Sequence, residues 1–336
     1  MSIRKKTITN TVILCLVLSV GFVMGWIVKS SKNSLEYIQP PTEIRENSPD
    51  LHFTNPLLFS RASKEFYTEE FEELNMLLEV FIKKALEVKT SESVSVYFRD
   101  LNTGHWTGIN EDQKYHPASM FKVLLMMSYL KEAEDDPSIL SKKFFYEEKI
   151  DNGQFFKPRK ILLSGSYTVQ QLLQQMIVHS DNQAMKVLDK EDRDHAYHRA
   201  YTTFQFPLVD NVTDSEGYIS PRLYSALFRT LYNSTYLSDN FSEQALKLLT
   251  LTTFTEGLVA GVPRGIPVAH KFGEYGNIDA IKGIKEKELH DCGIIYYPRH
   301  PYFLCIMTQG SDFVPLRENI KDISKLVYEY VEKRKK

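Results

Sequence analysis

The sequence is poor in cysteine, the residue of disulfide frameworks and of many zinc sites. Its 336 residues include only three cysteines, Cys15, Cys292 and Cys305, and none of them forms a C-x-x-C pair. Three cysteines are too few for a disulfide framework, and their spacing matches no zinc site. The only close histidine pair, His195 with His198, lies in a highly charged stretch that we interpret as solvated surface. The sequence therefore indicates no metal and no cofactor.

The sequence also lacks an excess of charge of either sign. It has 41 lysines and arginines against 43 aspartates and glutamates, which gives a formal net charge of -2. Such a balance gives no electrostatic reason to expect a nucleic-acid partner, and no basic motif interleaved with aromatic residues is present. The 43% hydrophobic content is that of an ordinary globular protein.

One long segment near the N-terminus carries no charge at all. As a helix, residues 7–28 would extend roughly 33 Å, which is enough to cross a bilayer. More basic residues precede this segment than closely follow it, which favours a cytoplasmic N-terminus and an exported body. We interpret residues 1–29 as a membrane anchor; the alternative is a signal peptide cleaved near Ser19-Val20-Gly21 and secretion of the remainder. The expected localisation is the cell membrane, with an extracytoplasmic domain.

The segment that follows is polar and contains several prolines. Residues 30–51 include Pro40, Pro41 and Pro49, a composition typical of an extended linker. We expect one folded domain over residues 52–336, because no internal repeat or second linker is evident. The domain opens with a helical period of apolar residues and then an alternating, strand-like pattern that ends in a turn.

A serine and a lysine three positions apart stand at the head of the most apolar segment of the domain. The same spacing of Ser119 and Lys122 occurs twice elsewhere in the chain, so the spacing alone has little specificity. Pro117 precedes this pair, and a nearly uninterrupted apolar run follows it. A helix that is apolar on most sides is usually buried. We therefore expect Ser119 at the N-terminus of a core helix, where backbone N–H groups and the helix dipole can stabilise an oxyanion.

A second polar cluster, Ser180-Asp181-Asn182, interrupts two helical patterns. The preceding helix begins with a capping box formed by Thr168 and Gln171. The cluster is therefore predicted on an interhelical turn. Its alternative interpretation is an ordinary helix N-cap, because serine, aspartate and asparagine are all good caps.

A third cluster lies on a short predicted strand. Alternation places Lys271 and Gly273 on one face and His270 and Phe272 on the other. The alternative interpretation is an edge strand that carries a lysine to prevent pairing. No metal-ligand pattern accompanies the cluster.

The C-terminal region predicts a hairpin and a closing helix. Residues 290–310 contain two apolar strands around a Pro-Arg-His-Pro turn, and residues 318–336 have a helical pattern. Cys292 and Cys305 lie on these paired strands at similar depth. A cross-strand disulfide is possible, but we expect buried thiols.

The order of the three clusters along the chain is more specific than any one of them. The chain carries Ser119-x-x-Lys122, then Ser-Asp-Asn at 180–182, and then Lys271-x-Gly273 before a hairpin and a final helix. In this order of motifs it resembles the class A β-lactamases and penicillin-binding proteins. The resemblance extends from about residue 70 to the C-terminus. It implies an α/β protein of the α+β type, in which an antiparallel sheet formed by both chain ends packs against an all-helical lobe. The active site would lie between them.

The resemblance implies a nucleophilic mechanism. Ser119 would attack an amide or lactam carbonyl and become acylated, with Lys122 as the base. To serve as a base, the lysine must be neutral, and lowering its pKa from about 10.4 to about 7.5 requires roughly 4 kcal/mol from its surroundings. Burial and the neighbouring Lys271 would supply this. Ser180 would connect the two lysines with the leaving nitrogen.

The remaining implied roles concern substrate binding. Asn182 would hold a substrate amide, and the backbone N–H groups of Ser119 and Glu274 would form the oxyanion hole. Gly273 and Phe272 would line the substrate site.

Two departures from the family pattern affect these roles. Phe272 stands where the family usually has a threonine or serine that helps to bind the substrate carboxylate. The glutamate that drives deacylation in class A β-lactamases also has no clear counterpart. Glu216 is the nearest candidate, but it lies only five residues before Pro221, where a helix is predicted to begin. The alternative interpretation of Glu216 is a turn residue without a catalytic role.

Three functions therefore remain open. The first is an exported serine hydrolase that opens β-lactam rings or cleaves D-alanyl-D-alanine ends of cell-wall peptides. The second is a penicillin-binding acyltransferase or carboxypeptidase with slow deacylation. The third is a non-catalytic module that binds wall peptide. In each, the expected partners are a small β-lactam or peptide and, through residues 7–28, the membrane.

Overall fold

A computed structural model describes most of the expected domain. The segment interpreted as an anchor, the pair His195 and His198, and the candidate Glu216 lie outside the described residues. Within the described part, no helix is both long and apolar enough to cross a membrane. The structure describes residues 43–45, 51–60, 69–148, 155–156, 161–191, 200, 202–204, 206, 219–278 and 285–335.

The strands of the largest sheet come from the two ends of the domain, and most of the helices come from the middle of the chain. The strands are β1 (Glu43–Arg45), β2 (Leu57–Ser60), β3 (Ser93–Asp100), β4 (Trp106–Ile109), β5 (Lys143–Tyr146), β6 (Gly165–Thr168), β7 (Val268–Ile278), β8 (Lys285–Ile295) and β9 (Tyr302–Gly310). The helices are α1 (Glu72–Glu87), α2 (Lys122–Asp135), α3 (Val169–Val178), α4 (Asn182–Glu191), α5 (Pro221–Tyr232), α6 (Asp239–Thr250) and α7 (Phe313–Lys335), with 3-10 turns at Glu69–Phe71, Ala118–Phe121, Pro137–Ser141 and Leu258–Gly261.

The central sheet is antiparallel and has five strands in the order β4-β3-β9-β8-β7. Strands β3 and β4 come from the beginning of the domain, and β7, β8 and β9 come from its end. Both chain ends therefore build the sheet, as the resemblance implied, and the predicted fold class is confirmed.

The sheet is covered on both faces, so its strands are more uniformly apolar than a half-exposed strand would be. On one face, Val94, Val96 and Phe98 of β3 pack in one hydrophobic cluster with residues of α1 and α7. On the other face, Tyr97 belongs to a second cluster that contains the helices of the central lobe. Full burial of one valine or phenylalanine side chain contributes about 1.5–3 kcal/mol to the stability of the fold.

Helix α2 is the centre of the helical lobe. Five successive residues, from Val123 to Met127, are at most 2% exposed, which confirms the prediction of a buried core helix. Ser119 lies in the 3-10 turn Ala118–Phe121 that leads directly into this helix. The nucleophile candidate is thus held one turn before the α-helix proper.

Local capping sets the helix starts. Thr168 and Gln171 form the predicted capping box at α3, and the Ser220 hydroxyl accepts from the backbone N–H of Leu223 at α5. Helix α7 begins at Phe313, earlier than the predicted residue 318, because the Asp312 carboxylate accepts from the Val314 N–H at 3.3 Å and starts the helix there.

Part of the predicted linker belongs to the folded domain. Glu43–Arg45 pairs with Leu57–Ser60 as an antiparallel hairpin. The Arg45 guanidinium donates to the backbone carbonyl of Asn55 at 2.7 Å and to the side-chain carbonyl of Asn233 at 2.8 Å. These bonds attach the three residues to the domain.

The expectation of buried thiols is wrong. Cys292 on β8 and Cys305 on β9 lie directly opposite each other, with their Cα atoms 3.9 Å apart, and form a disulfide. Both cysteines are fully buried in the centre of the sheet. The strand pattern revealed their proximity but carried no information on their oxidation state.

Replacing both cysteines, Cys292→Ala with Cys305→Ala, should lower the free energy of unfolding by about 3 kcal/mol, because a cross-link over a short loop restricts the unfolded chain. The measurement is urea unfolding of the double variant and the parent. Cys15→Ala is the control and should leave the unfolding midpoint unchanged. Equal stability of the double variant and the parent would show that the disulfide does not constrain the domain.

Candidate active site

Ser119 and Lys122 are in direct contact. The Lys122 ammonium nitrogen lies 2.9 Å from the Ser119 hydroxyl oxygen, because one helical turn separates the two residues. The Lys122 side chain is completely buried, whereas Ser119 remains 9% exposed. The serine therefore faces the solvent side of the pair, and the amine lies behind it.

The second and third polar clusters meet the first at Ser180. The Ser180 hydroxyl oxygen lies 2.8 Å from the Lys271 amine and 3.3 Å from the Lys122 amine. Lys122 also donates to the backbone carbonyl of Ser180 at 2.6 Å and to the Asn182 side-chain carbonyl at 2.6 Å. The structure thus joins residues from α2, the α3–α4 turn and β7 in one network.

Burial lowers the pKa of both lysines, and the charge of Lys271 also acts on Lys122. Burial lowers the pKa of Lys122 well below its ordinary value, and the charge of Lys271 lowers it further. Burial also lowers the pKa of Lys271 to about 7, although Asp291 and Glu274 act in the opposite direction. A buried amine next to a second cation favours its neutral form, which can accept a proton.

Close packing fixes the turn that carries Ser119. An added Cβ at Gly273 would lie 2.8 Å from both the Pro117 carbonyl oxygen and the Met120 side chain, so only glycine allows β7 to approach the turn. The Tyr224 hydroxyl of α5 donates to the Met120 carbonyl at 3.0 Å. Ala118 has a φ of 47°, a left-handed conformation that these contacts maintain.

The Ser180 turn is held in a similar way. Ser180 has a φ of 54°, and the adjacent Asp181 caps α4 by accepting from the backbone N–H groups of Gln183 and Ala184. The other Asp181 oxygen accepts from the Tyr146 hydroxyl and the Gln175 amide. The N-cap interpretation is therefore correct for Asp181, while Ser180 and Asn182 face the lysines.

Comparison with known proteins identifies the family. A sequence model described as the β-lactamase enzyme family matches residues 77–331. The chain belongs to the β-lactamase enzyme family. It is 25% identical over 250 residues to a β-lactamase of Streptomyces lavendulae, an alignment that covers 68% of this chain and 77% of that protein. Membership makes this β-lactamase-family protein a serine hydrolase of the class A β-lactamase and penicillin-binding type, as the motifs indicated.

Solved structures agree with this family in fold. A PBP-A variant determined as its acyl-enzyme with penicillin G is 20% identical, with 77% of this chain and 97% of that chain covered and a TM-score of 0.62. The TLA-3 extended-spectrum β-lactamase is 21% identical, with 76% and 98% covered and a TM-score of 0.64. The helical lobe and sheet of this β-lactamase-family protein therefore have the arrangement of those enzymes.

The Glu274 carboxylate has contacts that the sequence did not indicate. Its backbone follows Gly273 on β7, and its carboxylate accepts from the backbone N–H groups of Phe155 at 3.1 Å and Phe156 at 2.8 Å. Burial raises the pKa of the Glu274 carboxyl above its ordinary value, against the effect of these bonds. These two hydrogen bonds hold the backbone of residues 155–156 next to β7.

Phe272 occupies the middle position of the Lys271-x-Gly273 motif, where the resemblance implied a hydroxyl side chain. Its ring is 4% exposed and stacks on Phe254, with centroids 4.2 Å apart and an interplanar angle of 20°. Phe156 packs edge-on against both rings. The sequence indicated the missing hydroxyl, but the partner rings come from segments that carried no motif.

The described network brings together the amines of Lys122 and Lys271, the hydroxyls of Ser119 and Ser180, and the side-chain amide of Asn182. No group of three or more histidine, cysteine, aspartate or glutamate side chains among the described residues is arranged to hold a metal ion. Every described residue predicted for the site lies in or directly beside the Ser119–Ser180–Lys271 network; Glu216 lies outside the described residues.

Gly273→Ala should reduce acylation of Ser119 about 10²-fold or more, because the new methyl group would push β7 away from the turn and displace one donor of the oxyanion hole. The measurement is the rate of covalent labelling by a fluorescent penicillin. Gly165→Ala is the matched control, since the nearest atom to an added Cβ there lies 3.5 Å away. An unchanged labelling rate for Gly273→Ala would contradict this account of the close approach.

Proposed function

We propose that the protein is an exported hydrolase whose Ser119 is acylated by the substrate and then released by hydrolysis of the acyl-enzyme. It would open β-lactam rings or cleave D-alanyl-D-alanine type peptide ends. The observation that carries the proposal is the contact between the Ser119 hydroxyl and a fully buried lysine amine. A neutral amine at this distance can take the hydroxyl proton as the oxygen attacks a carbonyl. The family membership supports the same class of reaction.

Proton transfer in this mechanism has two stages. Lys122 first accepts the proton from Ser119 as the bond from its oxygen to the acyl carbon forms. Ser180 then donates its own proton to the leaving nitrogen and is reprotonated from an adjacent amine, since its hydroxyl is within reach of both lysines. Lys271 stabilises the Ser180 oxygen electrostatically while this proton moves.

The oxyanion is stabilised by the backbone. Ser119 lies in the turn before α2, and Glu274 lies on β7 directly after the glycine that contacts this turn. Their N–H groups are proposed to donate to the carbonyl oxygen as it becomes negative. Asn182 is proposed to bind a substrate amide at the side of the cleft where its carbonyl oxygen meets Lys122.

Export is part of the proposal. The uncharged segment at residues 7–28 would carry the domain across the membrane and hold it there. The buried disulfide supports an oxidising compartment, since such bonds persist mainly outside the cytosol. Fractionation of cells that produce the full chain tests this: recovery in the soluble cytosol would contradict it.

Ser119→Ala should abolish covalent labelling by a fluorescent penicillin and hydrolysis of a chromogenic cephalosporin, because it removes the attacking oxygen. Ser128→Ala is a control in a second Ser-x-x-Lys pair, where the buried serine hydroxyl donates to the Leu124 carbonyl and the lysine is exposed. It should retain both signals. Labelling that survives in Ser119→Ala would disprove this nucleophile, and a stable adduct without colour in the parent would indicate a penicillin-binding protein with slow deacylation.

The acylation rate should rise with pH and reach its plateau far below the ordinary pKa of lysine. Protonation of Lys122 removes the base, and burial and Lys271 both lower its pKa, so the rate should fall only as the solution becomes acidic. The two amines titrate as a coupled pair, so the midpoint belongs to both. The measurement is kcat/KM for acylation from pH 5 to 10; a rate that climbs steadily to pH 10 would show that Lys122 is charged at neutral pH.

A further inference from the structure

A cavity opens beside the Ser180 end of the network. Its volume is about 350 Å³, and its lining includes Phe156, Phe254 and Phe272, with His179 and Thr253 on the side of Ser180. A cavity of about 150 Å³ is already sufficient for a benzene ring. The space can therefore hold a substituent of the substrate as large as an aromatic ring.

The aromatic wall of this cavity is formed before any substrate arrives. Phe254 and Phe272 are 7% and 4% exposed and stack on each other. Phe156 meets them edge-on, with centroid separations of 5.4 Å and 6.2 Å. Its backbone is fixed by the Glu274 carboxylate. Rings held in this way favour edge-to-face or offset stacking with a further ring.

The polar groups around the cavity are poorly suited to an anion. Glu256 lines it with a carboxylate that is already paired with the Arg317 guanidinium, and none of the described lining residues is a lysine or arginine. The Thr253 hydroxyl donates to the Val178 carbonyl at 3.0 Å. The Lys271 amine is directed to Ser180 and to the Phe272 carbonyl, at 2.8 Å and 2.9 Å. A carboxylate placed here would lose its hydration against apolar rings without gaining a cationic lining residue as its partner.

The position of the cavity identifies the part of the substrate that enters it. The Lys271 amine lies 4.3 Å from the centre of the Phe272 ring, which lines the cavity, and Ser180 directly follows the lining residue His179. In the proposed mechanism, Ser180 and Lys271 deliver the proton to the leaving nitrogen. A substituent attached near that nitrogen would therefore point into the cavity. This step rests on the proposed function.

We propose that the cavity selects substrates with an uncharged aromatic group on the leaving-nitrogen side, in place of a free carboxylate, and that Phe272 determines this preference. In the reaction, the Ser119 oxygen forms a bond to the acyl carbon while the bond from that carbon to the nitrogen breaks. The serine proton enters the amine–hydroxyl network, which delivers a proton to the nitrogen. Water later releases the acid and restores the serine.

The test uses one β-lactam in three forms: the free acid, the methyl ester and the benzyl ester of its ring carboxylate. The acylation kcat/KM of each is measured by intact mass of the protein and divided by its spontaneous hydrolysis rate. The benzyl ester should exceed the free acid at least tenfold, with the methyl ester between them. A free acid that reacts as fast as the benzyl ester, or faster, overturns the inference while leaving the proposed acylation of Ser119 intact.

A variant tests the residue directly. Phe272→Thr should raise the acylation kcat/KM for the free acid and lower it for the benzyl ester. An unchanged ratio of the benzyl-ester kcat/KM to the free-acid kcat/KM would overturn the role of Phe272. Phe145→Thr is the matched control, because Phe145 is exposed on β5 and outside the cavity. If the Phe272→Thr variant does not fold, the comparison of the three β-lactam forms with the parent protein still tests the inference. Failure of all three to acylate Ser119 refutes the proposed function and this inference with it.

Discussion

The site depends on the burial of two amines around one hydroxyl. Lys122 and Lys271 are both inaccessible to solvent, and Ser180 lies between them. With a pKa of about 7 for Lys271, holding this amine in the fold costs about 4 kcal/mol of stability at neutral pH relative to an ordinary lysine. The hydrophobic core around α2 must offset this cost. The pKa of Lys122 is lowered by burial and by Lys271, so that this second amine can act as a base beside Ser119.

The same core maintains the backbone geometry of the site. Ala118 and Ser180 are both in left-handed conformations, each of which costs on the order of 1–3 kcal/mol for a residue other than glycine. Ala118 directly precedes the nucleophile, and Ser180 itself carries the bridging hydroxyl. Gly273 and the capping carboxylate of Asp181 keep the two turns in place through packing and hydrogen bonds. The strain is therefore located at the reacting groups, where surrounding contacts determine a single conformation.

Motif order and periodicity predicted the architecture and the polar centre of the site. The apolar run after Ser119 and the capping box at Thr168 each encode a local structure that the fold retains. The aromatic cavity was not predictable, because stacking of Phe254 on Phe272 joins segments with no periodic relation. The disulfide was missed for a different reason, since alternation places cysteines opposite each other without specifying their oxidation.

The central claim is that Lys122 is neutral at the pH at which the enzyme works. The most direct test is an NMR titration of the protein with isotope-labelled lysine side chains, in which the Lys122 signal is assigned from its loss in Lys122→Arg. Our account predicts that this side chain remains neutral at pH 7.5 and gains its proton only at lower pH. A Lys122 signal that stays protonated up to about pH 10, as for an ordinary lysine, would contradict it.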